Sequence, residues 1–203
     1  AVASAAIMIL PSVLEGLLAR WPGLQVQITE AVEDRLAAAL VSNTLDVVIS
    51  GVIADDNDIV KVTEPRFSDR YSVIASTTHP LTGRQNLSMR DLAGMQWVMP
   101  PEDAAPRRLF HAVIEELGVP PPVIRVETRS PAAIKSLVAG TQFLGWLPEP
   151  LFAAEQAAGL IAPLAVKELS LARRFYVYRR RQTFVAPPVL RFLEELRNVG
   201  PPA

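Results

Sequence analysis

The order of apolar and polar residues predicts alternating helices and strands in the first quarter of the chain. A stripe at helical spacing is formed by Leu10, Val13, Leu14, Leu17 and Leu18. Alternation over 24–30 then predicts a strand, a second helix begins near Glu33, and the apolar run 47–49 predicts a buried parallel strand. The apolar residues 1–9 predict another short buried strand. This order is typical of an α/β fold with a parallel sheet.

The rest of the chain continues the alternation. Further strands are predicted at 59–67, 70–76, 95–99, 123–128, 143–147, 161–171 and 175–181. Further helices are predicted at 89–93, at 110–117, at 131–139 and from Pro187 onward.

An internal echo indicates two similar halves. A shift of 97 positions places Val26 on Val123, Glu30 on Glu127 and Leu40 on Leu137, and it keeps the order of elements. We therefore expect two Rossmann-like lobes joined by two crossing strands, with lobe I at 1–76 and 168–203 and lobe II at 77–167. A ligand cleft is expected between the lobes.

Composition excludes several classes of function. The 203 residues carry a net charge of −1, which argues against nucleic-acid binding by this chain alone. Cysteine is absent and there are two histidines, so disulfides, a Cys nucleophile and a thiolate or His-rich metal site are not expected. No phosphate-binding or nucleophile motif occurs, so we predict no cofactor and no catalytic residue. No apolar run approaches the ~20 residues of a membrane helix.

The chain resembles the effector-binding domain of LysR-type transcriptional regulators over nearly its whole length. The resemblance is carried by Ile9-Leu10-Pro11, Trp21-Pro22-Gly23, Leu45-Asp46-Val47-Val48-Ile49, His79-Pro80-Leu81, Asp91-Leu92, Leu137-Val138-Ala139-Gly140 and Trp146-Leu147-Pro148. In one departure, Thr141-Gln142-Phe143 follows Gly140 where family members often carry a second glycine.

The resemblance implies a type 2 periplasmic-binding-protein-like fold and a cytoplasmic sensing function without chemistry. The expected partner is a small-molecule effector, a carboxylate or another anion. A homodimer or tetramer is implied, in which helix 5–20 and strand 24–30 of one chain lie against helix 104–117 and strand 122–128 of the other. DNA would be bound only through an N-terminal winged helix-turn-helix domain that this sequence lacks.

Candidate ligand-binding residues lie in loops at the carboxyl ends of the predicted strands. They are Ser4, Ala5, Glu33, Ser50, Gly51, Met99, Pro100, Glu102, Thr128, Arg129, Ser130 and Trp146. Ser4 and Ser130 precede predicted helices, where they would suit a carboxylate or phosphate, or would act only as helix caps.

Three candidates have specific alternatives. Arg129 would add a charged clamp for an anion. Glu33 would repel an anion, so it would bind a hydroxyl or amine or simply favour its helix N-terminus. Trp146 lies on a buried run, which favours a core position over a ligand platform.

The densest basic run contains Arg173, Arg174, Arg179, Arg180 and Arg181. We interpret it as the charged outer face of a strand, with contact to DNA or to an acidic neighbour as the alternative. Two other functions fit the same architecture: a secreted solute-binding protein of an uptake system, and an enzyme such as a dehydratase.

Overall fold

In the computed structural model the chain divides into two compact units. Unit 1 comprises Ala1–Ser68 and Arg173–Ala203, and unit 2 comprises Asp69–Ala172. The structure describes residues 1–53, 56–62, 67–181 and 184–199. The first passage between units lies at the start of a long strand, and not after it at residue 76 as predicted. The return passage is likewise later than the predicted residue 168.

The helices of the described residues are α1 (Ala3–Met8), α2 (Leu10–Arg20), α3 (Glu33–Val41), α4 (Ala105–Glu116), α5 (Pro131–Gly140), α6 (Glu149–Ala157) and α7 (Pro187–Asn198). The strands are β1 (Val48–Ser50), β2 (Ile59–Lys61), β3 (Phe67–Ser76), β4 (Gln96–Met99), β5 (Val123–Glu127), β6 (Gly145–Pro148), β7 (Ile161–Leu164) and β8 (Leu171–Arg180). Single turns of 3-10 helix occupy Met89–Leu92 and Lys167–Leu169. The predicted strand at 59–67 is present at its start as β2, and its residues 63–66 lie outside the described part.

In unit 1 the helices pack against a small antiparallel sheet. Strand β8 pairs with β1 through Val48 and Tyr178, and with β2 through Ile59 and Arg180. The prediction that 47–49 is a parallel strand is therefore wrong in its pairing, although β1 is fully buried. The core is closed by the inner faces of the helices, which include Val13, Leu36, Leu40, Leu193 and Leu196.

Two predicted strands of unit 1 are absent. Residues 1–9 form α1 instead, because the segment Ala3–Met8 is rich in alanine, the strongest helix former. Residues 24–30 form no strand, and most of their side chains are exposed. Their backbone contact with the start of the chain is a bond from the Ala1 ammonium to the Thr29 carbonyl, 2.8 Å long. The alternating pattern of residues 24–30 was not enough to form a strand, because no strand of the described residues pairs with them.

Unit 2 contains both parallel and antiparallel pairs. Strand β3 pairs antiparallel with β6 and with β7, whereas β4 and β5 run parallel. An isolated parallel bridge joins Trp97 of β4 to Leu144, just before β6. Trp97, Phe110 and Trp146 form the aromatic centre of the core, with Phe110 edge-on to both indole rings.

The internal echo corresponds to real elements. Shifted by 97 positions, α2 overlaps α4, α3 overlaps α5, and β1 overlaps β6. The two units therefore share an order of helix, helix and strand, and the strand is buried in each.

The loop that departs from the family pattern is closed by Thr141. Its hydroxyl donates to the Leu137 carbonyl at 2.7 Å and accepts the Phe143 amide at 3.0 Å. The threonine thus satisfies backbone groups at the end of α5. Across the described ranges, no helix combines the length and hydropathy needed to cross a membrane.

Candidate functional site

Three of the predicted site residues in unit 1 converge on Arg173. Its Nη2 donates to the Ser4 hydroxyl at 2.7 Å, and its Nη1 lies 3.5 Å from Oε1 of Glu33. The third is Gly51, where an added Cβ would lie 3.4 Å from Cδ of Arg173. We call Ser4, Glu33, Gly51 and Arg173 the unit 1 cluster.

Ser4 is not a helix cap, as one interpretation of the sequence had it. Helix α1 begins at Ala3, so Ser4 lies inside its first turn, and Val2 is the capping residue. The Ser4 side chain is buried and bonds to Arg173 instead. Two further candidates are also buried here: Ala5, and Ser50, whose hydroxyl has no hydrogen-bond partner among the described residues.

Arg173 is the residue that the sequence interpretation missed. We assigned it to the charged outer face of a strand, but its side chain is only 18% exposed. Its guanidinium also lies 4.9 Å from the ring centre of Phe175. The signal available in the sequence was its position, since Arg173 is the first basic residue of the run and lies two residues before the buried Phe175.

In unit 2 the carboxyl ends of β4 and β5 are joined. The Thr128 amide donates to the Met99 carbonyl at 3.0 Å, which brings these two predicted site residues together. The next carbonyl, that of Pro100, accepts from Nη1 of Arg107 at 3.0 Å. We call Met99, Pro100, Arg107 and Thr128 the unit 2 cluster.

Arg107 is a buried residue that makes several of the contacts in this cluster. No pattern in the sequence indicated this role. It is 4% exposed although it carries a full charge. Besides Pro100, its Nη1 lies 3.3 Å from Oε1 of Glu127, and its Nε donates to Nε2 of His111 at 2.7 Å. These contacts compensate for the cost of burying the guanidinium. His111 therefore accepts a hydrogen bond through its Nε2 atom.

Two of the remaining unit 2 candidates, Arg129 and Ser130, have local partners. The Arg129 guanidinium pairs with the Asp103 carboxylate, and its hydrogen bond holds the pKa of Asp103 below its usual value. Ser130 caps α5, because its hydroxyl accepts the Ala133 amide at 3.3 Å, and Glu102 is exposed. The cap interpretation of Ser130 is confirmed, while the clamp role of Arg129 stays a prediction.

Trp146 is a core residue. It is 1% exposed, its ring stacks on Tyr71 at 4.2 Å between centroids, and its Nε1 donates to the Leu169 carbonyl. A side chain whose polar atom is already hydrogen-bonded and whose ring has no exposed face cannot serve as a ligand platform. The interpretation of Trp146 as a ligand platform is therefore wrong. Met99 is also fully buried, which leaves only its backbone for polar contacts.

The chemistry available in these clusters is that of polar recognition. Each cluster combines an arginine with a carboxylate or carbonyl partner and with a hydroxyl group. Among the described residues, no three His, Cys, Asp or Glu side chains are placed to hold a metal ion. Such an arrangement can orient a small polar molecule through charge-assisted hydrogen bonds.

Comparison of sequences gives a family that covers almost the whole chain. Residues 1–201 match the model described as LysR substrate binding domain. The chain is 25% identical over 191 residues to the HTH-type transcriptional regulator GalR of Pseudomonas putida, covering 94% of this chain and 48% of that protein. It is 26% identical over 200 residues to the regulator CbbR of Xanthobacter flavus, covering 98% of this chain and 60% of that protein. The chain therefore spans about half to three fifths of these relatives.

Comparison of structures gives the same fold. The regulatory domain of CcmR from Synechocystis PCC6803, in complex with 2-PG, superposes with a TM-score of 0.88 at 22% identity, over 99% of this chain and 96% of that one. The effector-binding domain of QuiR, in complex with shikimate, gives a TM-score of 0.81 at 15% identity, over 98% of this chain and 93% of that one. At these identities the likeness establishes the fold alone.

Proposed function

Because the chain belongs to the LysR substrate-binding domain family, we propose that it senses a small molecule within a transcriptional regulator and catalyses no reaction. The observation that carries this proposal is the family match over residues 1–201, together with relatives that are transcriptional regulators. The relatives argue against the secreted solute-binding protein and the enzyme, which the sequence alone left open.

We propose that the unit 1 cluster binds the effector, and that the unit 2 cluster is a candidate binding site of its own. The unit 1 cluster supports this because buried Ser4 and half-buried Arg173 come from distant parts of the chain and meet at one point. In unit 2 the backbone of Met99 and Pro100, with Thr128, Arg129 and Ser130 beside it, offers further polar groups. Small acids are the first candidates, since the structure of QuiR holds shikimate, a carboxylate.

Assembly and DNA binding are further parts of the proposal. We propose a cytoplasmic homodimer or tetramer in which α2 and residues 24–30 of one copy meet α4 and β5 of another. Apolar side chains that are more than a third exposed support this choice, namely Leu18, Val26, Ile28, Leu109, Leu117 and Val123. DNA would be contacted through a domain outside this sequence, whose position the effector biases by a change within this one.

A thermal-shift screen tests the binding proposal. Small carboxylates, phosphates and sugars are tested against the wild type, Ser4→Ala and the control Ser12→Ala, which changes an exposed serine of the same unit. We expect at least one compound to raise the melting temperature of the wild type and of Ser12→Ala, with a clearly smaller shift in Ser4→Ala. If no stabilisation depends on Ser4, the site is misplaced.

A further inference from the structure

Strand β8 of unit 1 is paired on both of its edges. Tyr178 stands opposite Val48 of β1 on one edge and opposite Lys61 of β2 on the other. The connection from β1 to β2 therefore passes across a face of β8. The Tyr178 hydroxyl fixes the start of this crossing, because it donates to the Gly51 carbonyl at 3.0 Å and accepts the Ile53 amide at 3.2 Å.

A cavity of about 500 Å³ lies between this crossing and the face of β8. Its volume falls within the range of small-molecule sites in proteins, which is about 300–1,000 Å³. The walls include Val52 and Ile53 of the crossing, residues of β2, and the rings of Tyr176 and Tyr178. No residue of the unit 1 cluster lines it. It is therefore a separate recess of unit 1, which we call the crossing cavity.

Arg181 holds the far end of the crossing. Its Nε donates to the Asn57 carbonyl at 2.9 Å, and its Nη2 donates to the Ile59 carbonyl at 3.2 Å. Its amide donates to the Asp58 carbonyl at 2.8 Å. Together with Tyr178, these bonds fix both ends of the crossing and leave the space beneath it open. Because hydrogen bonds already hold these walls, a ligand does not have to order them when it binds.

The most prominent polar group of the cavity is an ammonium placed on an aromatic ring. The Nζ atom of Lys61 lies 4.4 Å from the ring centre of Tyr176. The side chain of Lys61 is exposed, and within the described residues no carboxylate pairs with it. Asp56 also lines the cavity, and its Oδ1 accepts the Asp58 amide at 2.7 Å. The cavity thus offers one cation without an acidic partner and one negative charge.

These groups select a ligand with two parts. A single negative group would pair with the Lys61 ammonium, whereas a second negative group would be repelled by Asp56. The remaining walls are aromatic or apolar, which favours a flat ring packed beside the tyrosines. Val52, which is 76% exposed, would lose part of its contact with water when such a ring enters.

We propose that the crossing cavity is a second ligand site, which binds an aromatic ring carrying one negative group such as a carboxylate or sulfonate. Lys61 pairs with the negative group, and Tyr176 and Tyr178 pack against the ring. This site goes beyond the proposed function, because it is filled independently of the unit 1 cluster. The bond from the Tyr178 hydroxyl to the Gly51 carbonyl connects the two.

An amide NMR titration of the chain with benzoate and with benzenesulfonate tests the site. Benzamide serves as the uncharged ring and acetate as the anion without a ring. We expect both aromatic anions to cause saturable shifts of the Ile53 and Lys61 amide resonances, and benzamide and acetate to bind more weakly. In Lys61→Met, which keeps the apolar stem, affinity should fall about fivefold, as the loss of one exposed ion pair implies. The control Lys167→Met changes another exposed lysine and should leave affinity unchanged.

The variant Ser4→Ala separates this site from the unit 1 cluster and should not alter the affinity for either aromatic anion. Equal affinity of the wild type and Lys61→Met would overturn the inference. So would benzamide that binds as tightly as benzoate, or a titration without saturable shifts. Binding that depends on Ser4 and shifts the Ser4 and Glu33 amides instead would place these anions in the unit 1 cluster. That result would overturn the second site and support the proposed function.

Discussion

Gly145 at the start of β6 is the glycine of unit 2 at which one added methyl group should disturb the packing most. A Cβ built there would lie 3.1 Å from Cγ2 of Ile134, 3.1 Å from Cγ2 of Val138 and 3.2 Å from Cγ1 of Ile74. The first two atoms belong to α5 and the third to β3, so the methyl group would be wedged between a helix and a strand. All three neighbours are fully or almost fully buried.

The magnitude follows from two opposing terms. Overpacking a well-filled core costs roughly 1–3 kcal/mol, because side chains must leave their preferred rotamers or the backbone must shift. Replacement of glycine by alanine also restricts the unfolded chain, which returns about 0.4–1 kcal/mol. For Gly145→Ala we therefore expect a net loss in the free energy of unfolding of up to about 2.6 kcal/mol, and of about 1.3 kcal/mol at the middle of both ranges.

Urea denaturation of Gly145→Ala beside the wild type and Gly140→Ala measures this loss. Gly140 ends α5, and a Cβ there would meet nothing within 4 Å, so its replacement should be neutral or stabilising. In the double variant with Val138→Ala one of the clashing methyl groups is gone, so the two losses should be less than additive. A Gly145→Ala protein as stable as Gly140→Ala would refute the account of a filled space between α5 and β3.

Two further changes probe unit 2. Arg107→Met keeps the length of the buried side chain but leaves the Pro100 carbonyl without its donor. We expect urea denaturation to show a loss of about 3 kcal/mol in the free energy of unfolding. The control Arg90→Met changes an exposed arginine and should cause no loss. Burial lowers the pKa of His79, although a hydrogen bond to the Gln142 backbone partly opposes the shift. The unfolded chain therefore binds a proton near pH 6.5 that the folded chain does not, so stability is unaffected by His79 above that pH and falls below it. His79→Asn, which retains an acceptor for the Leu81 amide, should lose less stability than the wild type between pH 7 and pH 5, and parallel curves would contradict this.

The sequence predicted best where the signal is local and periodic. Helices α2, α4 and α7 follow from apolar residues at helical spacing, and the proline pair at 187–188 marks the start of α7 as observed. The resemblance to the LysR family supplied the fold on motifs that the family match then supported. Both the helical periodicity and the family motifs can be recognised within short stretches of consecutive residues.

The misses depend on partners far along the chain. Residues 24–30 alternate like a strand, but alternation does not provide an adjacent strand to pair with. Arg173 reaches Ser4 across a separation of 169 residues, and no spacing rule relates the two. A helix cap was one of the two roles considered for Ser4, because the start of the first helix was placed too late. Its bond to Arg173 depends on packing that composition does not encode.

The division of the chain has a consequence for the order in which the protein folds during synthesis. Unit 2 is one continuous segment, so all of its contacts are available once Ala172 has left the ribosome. Unit 1 has to wait, because within the described residues β1 and β2 pair with β8, which lies more than a hundred residues later. Until then Ser4 and Glu33 also lack Arg173. At that stage every residue of unit 2 is present, whereas the residues of unit 1 after position 172 are not. The polar cluster of unit 1 is therefore among the last features to form.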